Sequence, residues 1–413
     1  MASAAKSALG ALRETLSVES QIVLTVASAA NPQERVQRLA ALLEQPWDPA
    51  SLLAQTTKHR LAALLDWHLD RLPAWTTPAL EHLRCELRVS CRQSVIHALQ
   101  LTHELIQLVG LLRDQGIPVL SYKGPVLAGL LYEDVAQRQF WDLDLLVPAD
   151  RVLDAKAVLI ARGYQPERVL DPTREQQHLE TDCEYNFDHP TTGVHVELHW
   201  DLLDAAPGKP IDQSLLWASP YTVRIAGHCI DTFAPEAQLL ALSIHGGEKH
   251  RWKRLKWLGD LARLTHLPAF DWTRAFDLVG RGQYLDIVLL GLHLADLLLD
   301  AHVPDVARVL IQERPRITAQ AILLVGQIFG EENASLPGFR KWRRYMRAYN
   351  EDVGTKRAVD PAWWRYLQAV GTPGWRERRR WRLPTVLGFL HYVLRPYMLL
   401  REHGVAGLLR RLR

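Results

Sequence analysis

The sequence predicts an α+β protein: a small mixed β-sheet with flanking helices over about 110–232, set between helical N- and C-terminal regions. Three observations predict it. Apolar residues recur at helical spacing through 34–44, 60–69 and 95–112. After Gly116 the pattern changes to short, β-branched or alternating runs bounded by turn residues. Helical periodicity returns from about Pro235. The expected division is a helical region over 1–110, an αβ core over 111–232, a helical domain over 233–335 and a basic helical region over 336–413.

In the first region, Pro46, Pro49, Pro73 and Pro78 punctuate the helices. The core opens with Ile117 to Tyr122, a strand. Lys123-Gly124-Pro125 then turns into a helix over Val126 to Tyr132, because glycine takes the tight turn and proline suits the first helical position. Phe140 to Val147 alternates as a strand. Asp150 to Arg162 is an amphipathic helix with Gly163 at its C-terminal stop. Cys183 to Asp188 and Val194 to Trp200 are strands around the Pro190-Thr-Thr-Gly193 turn. Helices follow over Pro235 to His245, Trp252 to Leu264 and Tyr284 to Leu299.

Composition excludes several classes. The chain has 413 residues, 48% hydrophobic and 23% charged, which is that of a globular protein and not a disordered one. Four cysteines without CxxC spacing argue against a disulfide scaffold or a structural zinc site, and predict a reducing, cytoplasmic setting. No run of about 20 apolar residues predicts a spanning helix, and the N-terminus lacks the basic-then-apolar pattern of a signal peptide. The net charge of +3 conceals an asymmetry. From Arg340 to Arg413 there are 18 Lys and Arg against 5 Asp and Glu, so the rest of the chain is net acidic. Such a tail either meets an anionic partner or docks on the acidic body. Trp375-Arg-Glu-Arg-Arg-Arg-Trp381 interleaves aromatics with arginines, a pattern compatible with nucleic acid or an anionic membrane surface, although a helix packed on the body is the favoured reading.

The chemistry concentrates in Trp141-Asp-Leu-Asp-Leu-Leu-Val147. On a strand Asp142 and Asp144 share a face while Leu143, Leu145 and Val147 turn to the core. Two carboxylates this close repel, so one takes a proton or a cation sits between them. Mg²⁺, or Mn²⁺ in its place, is the hard cation that keeps positions open for water and phosphate oxygens. Upstream, the backbone N–H groups of the Lys123-Gly124 turn suit a phosphate at a helix N-terminus, and Lys123 and Arg138 add positive charge. Downstream, His195-Val-Glu197-Leu-His199 alternates, so Glu197 shares a face with both histidines. A third carboxylate would complete a site for two metals about 3.5–4 Å apart. Asp201 and Glu184 are the alternatives to Glu197. Lys249, Arg251 and Arg254 are candidates for a triphosphate, with a solvated basic face as the plainer reading, and Asp260 is a candidate partner for one of these arginines. In His245-Gly-Gly-Glu-Lys-His250 the spacing does not put both imidazoles on one helical face, which argues against zinc.

Together the turn, the Asp-x-Asp strand and the later acidic strand resemble the DNA polymerase β-like nucleotidyltransferase superfamily. The closer resemblance is to an uncharacterised family within it. The elements that carry it are Lys123-Gly124, Tyr132, Arg138, Asp142-Leu-Asp144-Leu-Leu-Val147, Gly163-Tyr164 and Glu197-Leu-His199-Trp200, with further likeness at His245, His250, Trp257, Asp260 and Arg395-Pro396. The likeness implies an NTP substrate whose α-phosphate is attacked by an acceptor, with Mg-pyrophosphate leaving. It implies Asp142, Asp144 and Glu197 as metal ligands, Glu197 as a candidate base, and Gly124 with its turn as the polyphosphate site. Pro125 departs from the superfamily's usual serine and offers neither hydroxyl nor N–H, which shifts phosphate recognition onto Lys123. Glu197 stands where many members have Asp.

The expected function is Mg²⁺-dependent transfer of an NMP to a hydroxyl or phosphate of a small molecule, sugar or peptide. The alternatives are an enzyme modifying protein or RNA through the basic tail, and a non-catalytic nucleotide-binding module.

Overall fold

Sidechain chemistry at the chain's start explains its helices. The computed structural model describes residues 15–72, 77–202, 213–268, 270–280 and 284–333. The basic tail and Arg395-Pro396 lie outside them. Every described residue belongs to one compact unit. Helices α1 (Val18–Ala27), α2 (Pro32–Leu43), α3 (Pro49–His59), α4 (Ala62–Leu69) and α5 (Pro78–Asp114) come first. Asn31, Asp48 and Thr77 cap α2, α3 and α5 through their side chains, each just ahead of a proline. A proline at the first helical position loses nothing, since its missing N–H would have no helical partner. Pro49 and Pro78 therefore start helices. The most apolar window of α5 has a mean hydropathy of 1.3 and is long enough to cross a bilayer by length and composition alone. Leu101, Leu105, Leu108 and Leu112 on that helix are buried in the core.

The central sheet has the order β1 (Leu120–Ser121), β2 (Asp142–Leu146), β5 (His195–His199), β4 (Glu184–Asp188), β3 (Gln165–Pro166). Strands β2 and β5 are parallel; the other pairs are antiparallel. One face carries Leu143, Leu145, Val196, Leu198, Tyr185 and Phe187, all buried against α5 and against α7 (Val152–Ala161). The opposite face carries Asp142, Asp144, Glu184, Asn186, Glu197 and His199, because strand side chains alternate. Elements not predicted within the core include the short strand β3, helix α8 (Pro172–Thr181) and the hairpin β6 (Tyr221–Ile225) and β7 (His228–Thr232). The hairpin turns through Ala226 and Gly227, both at positive φ. That geometry suits a two-residue primed turn, for which Asn-Gly is the recognisable signal and Ala-Gly is not.

After a short helix α9 (Gln213–Trp217), α10 (Pro235–Ser243) leads into a π-helical turn over Ile244–Lys249. Then come α11 (Leu255–Leu264), α12 (Trp272–Gly280), α13 (Leu285–Leu299), α14 (Asp305–Gln312) and α15 (Pro315–Asn333). The Arg263 guanidinium of α11 donates to the carbonyls of Val26, Ala27 and Ser28, which ties this region to the end of α1.

Candidate active site

Strand register assembles the carboxylates. Asp144 on β2 is directly opposite Glu197 on β5, and Asp142 is opposite His195. Glu197 is thus the acidic residue aligned with the Asp-x-Asp pair. Asp201 lies past the end of β5, where its Oδ1 accepts the Leu202 N–H. The turn between β1 and α6 (Gly124–Leu131) borders the same strand. Gly124 has φ of +56°, and a Cβ there would lie 3.1 Å from the Asp142 carbonyl oxygen. Glycine is required both by that conformation and by the close approach of the turn to β2.

Lys123 stands at the N-cap position of this helix, and its Nζ contacts Asp144 Oδ1 and lies 4.0 Å from Glu197 Oε2. Lys123 is 7% exposed, Asp144 0% and His199 2%. His199 Nε2 lies 3.4 Å from Asp144 Oδ1 and 3.3 Å from Glu197 Oε2. These approaches are close enough for charges to interact, but they are off-line, and neither ring nitrogen completes a hydrogen bond. His199 Nδ1 lies 3.5 Å from Glu184 Oε2, which is 3.6 Å from Lys249 Nζ.

The ionisation pattern follows from these neighbours. Burial, then the negative charges of Asp144 and Glu197, push the Asp142 carboxyl up. Burial alone would push Asp144 up as well, but the Lys123 ammonium and His199 outweigh it and hold it below the usual carboxylate range. Glu197 is likewise held down by His199 and Lys123 against its burial. Burial opposes charge on His199, yet Asp144 and Glu197 raise it above an ordinary imidazole. Burial opposes charge on Lys249 too, and Glu197 and Glu184 overcome it.

Arg138 is placed differently from expectation. It is 5% exposed, and its Nε and Nη2 donate to Asp260 Oδ1 and Oδ2 at 2.9 and 3.0 Å. Tyr132 OH donates to the same carboxylate at 2.8 Å. Asp260 therefore pairs with Arg138, not with a cation of the 249–254 segment, and Arg138 spends its fork on a buried anchor between the start of β2 and α11. Arg254 lies over the Trp257 ring at 5.5 Å.

The π-helical turn corrects the expectation for the two histidines. His245 and His250 have ring centroids 4.6 Å apart, and His250 stacks on Trp257 at 4.3 Å. A wider turn brings residues five apart together, which an α-helical reading does not do. Sequence reasoning passed over Lys256 altogether. Its Nζ donates to the Gln139 carbonyl. Burial of that ammonium and the Arg138 charge beside it push Lys256 down to about 7, although the residue keeps some exposed surface. Its only sequence signal is its position one turn before Asp260.

These side chains fit a divalent cation. Asp144 Oδ2 is buried without a hydrogen-bond partner, and one donor atom each from Asp144, Glu197 and His199 fall within 4.8 Å of one another. Hard oxygen donors in such a cluster suit Mg²⁺ or Mn²⁺.

A mixed sheet that brings an Asp-x-Asp strand beside an acidic strand, with a glycine turn at its edge, defines the class of nucleotidyltransferases. The chain belongs to the family described as uncharacterised nucleotidyltransferase, whose model matches residues 45–300, and it is a nucleotidyltransferase enzyme. Solved structures give weaker likeness. The antibiotic-resistance factor ANT(2'')-Ia in solution is 14% identical, with 44% of this chain and 91% of that chain covered and a TM-score of 0.32. The lincosamide antibiotic adenylyltransferase LnuA with lincomycin bound is 18% identical, with 40% and 96% covered and a TM-score of 0.27. An antigenic nucleotidyltransferase-like protein from Paracoccidioides brasiliensis is 18% identical, with 55% and 93% covered and a TM-score of 0.32. No curated protein matches the chain.

Proposed function

We propose that the enzyme transfers an NMP from an NTP to a hydroxyl or phosphate oxygen of an acceptor, with a divalent cation, and releases pyrophosphate. The observation that carries this reading is the register of Asp144 against Glu197, with Asp142 on the same face and the Gly124 turn against the same strand. Asp142, Asp144 and Glu197 would hold the cation. When bound, it supplies positive charge at the phosphate oxygens around the reacting phosphorus.

The chain's own groups do the rest. An acceptor oxygen forms a bond to the α-phosphorus while the bond from that phosphorus to the bridging oxygen breaks. Pyrophosphate leaves with the electron pair. Glu197, kept ionised by His199 and Lys123, is the carboxylate available to take the acceptor's proton. The N-terminus of α6 and Lys123 bind the polyphosphate, with Lys249 as a second cation at the rim. Arg138 holds β2 in place through Asp260 and does not touch substrate.

The test is a screen of the full chain with each NTP, Mg²⁺ or Mn²⁺ and a metabolite extract, reading pyrophosphate and the mass gain of an NMP. Asp142→Ala/Asp144→Ala abolishes turnover. Full turnover in that variant removes these carboxylates from the reaction.

A further inference from the structure

His199 is held at the site against a cost. It ends β5 on the face of Glu197, it is 2% exposed, and neither ring nitrogen completes a hydrogen bond. Burying such a group without partners is unfavourable. Its Nε2 faces Asp144 Oδ1 at 3.4 Å and Glu197 Oε2 at 3.3 Å, beside the buried and partnerless Asp144 Oδ2. Its Nδ1 faces Glu184 Oε2 at 3.5 Å on the other side.

We propose that His199 Nε2 is a direct ligand of the divalent cation held by Asp144 and Glu197, which makes the site a mixed nitrogen–oxygen one. This rests on the nucleotidyltransferase reading of those carboxylates and deepens it. A ligand nitrogen must be unprotonated, so the ring proton belongs on Nδ1, where Glu184 is placed to accept it. A carboxylate behind a metal-bound histidine fixes tautomer and ring orientation in this way. Lys249 Nζ, 3.6 Å from Glu184 Oε2, sets a positive charge behind that carboxylate. The Lys123 ammonium now in contact with Asp144 gives way as the cation enters. Oxygen donors alone serve Mg²⁺, whereas an imidazole adds affinity for first-row transition ions. The affinity order expected is Mg²⁺ below Mn²⁺ below Co²⁺.

The probe is Mn²⁺ alone, titrated into the full chain by electron paramagnetic resonance, with the pulsed spectrum of the bound ion recorded. The wild type shows nitrogen modulation from a coordinated imidazole. In His199→Gln the modulation disappears, and Mn²⁺ affinity falls roughly tenfold or more while Mg²⁺ affinity falls less. Should that variant fail to fold, the wild-type spectrum still decides. Bound Mn²⁺ with no nitrogen modulation overturns the proposal, as does modulation that survives His199→Gln. If Asp144→Asn abolishes Mn²⁺ binding in either case, the carboxylate reading stands while the histidine ligand falls. Mn²⁺ binding indifferent to Asp144→Asn overturns both.

Discussion

Lys123 neutralises a carboxylate that has almost no access to water. Its Nζ touches Asp144, which is 0% exposed. Removing one partner of a buried pair costs about 3–5 kcal/mol, because the remaining charge is left uncompensated. Lys123→Met should therefore lower the melting temperature without divalent cation. Added Mg²⁺ should restore more stability to the variant than to the wild type, since a ligand that binds only the folded state stabilises it. Equal Mg²⁺-induced shifts in thermal denaturation would refute this. Two other buried residues govern acid stability. His59 and His68 are 0% exposed, and burial, reinforced by nearby cations, pushes both imidazoles down to about 3. Below the unfolded value of about 6.5, the unfolded chain binds protons that the folded chain excludes. Stability is thus fully present above about 6.5 and is lost as pH falls towards 3. Each ring contributes up to about 1.4 kcal/mol per pH unit within that window. Denaturant titrations at pH 7 and 5 should show a shallower loss in His59→Gln/His68→Gln, and an unchanged slope would sink the assignment. At this scale the sequence was informative where one strand suffices. The period of two put Asp142 with Asp144, and Glu197 with His199. It could not tell that parallel pairing would set Asp144 opposite Glu197, nor that Arg138 would find Asp260 at 122 residues' separation.

Elements meet through a notch cut for one side chain. Trp252 is 1% exposed and packs where Gly246, Gly247 and Gly291 leave room. A Cβ on Gly246 would stand 2.4 Å from the Trp252 ring, and one on Gly291 2.6 Å. An indole locked in a core does not yield such distances cheaply. Gly246→Ala should destabilise the protein by about 1–3 kcal/mol. Because the π-helical turn carries Lys249, 3.6 Å from Glu184, the change should also weaken Mn²⁺ or nucleotide binding. A variant with wild-type melting temperature and binding would show that the turn relaxes freely. The sequence marked the two glycines of this segment without revealing their purpose, since the indole that needs them arrives from a turn with Arg251 and Trp252 both at positive φ. Long periodic helices and alternating strands were legible for the opposite reason: their signal repeats within the element itself. The β6–β7 hairpin was missed because Ala226 stands at a left-handed position where asparagine or glycine is the usual marker.

At the scale of the molecule, three segments that composition separates are cross-tied. The Arg138–Asp260 fork joins the approach to β2 to α11. The Arg263 guanidinium joins α11 to the carbonyls at the end of α1, and Lys58 on α3 donates to the Ile328 carbonyl on α15. Ties of this kind couple the N-terminal helices, the sheet and the later helices, so that opening one exposes buried polar groups in the others. All the proposed cation ligands and both site lysines lie within Met1–Ala348. A chain ended after Ala348 should accordingly unfold in a single cooperative transition and bind Mn²⁺ as the full chain does. Asp260→Ala in that background should lower the transition as a whole, by about 3–5 kcal/mol for the uncompensated Arg138, and should not split it. Calorimetry resolving separate transitions for the sheet and the helices would show that the segments are independent domains. The basic surplus beyond Ala348, 13 Lys and Arg against 5 Asp and Glu, then becomes separable from the chemistry. If that surplus docks a polyanionic acceptor, the truncated chain loses the steep salt dependence of acceptor binding while its metal affinity stays unchanged.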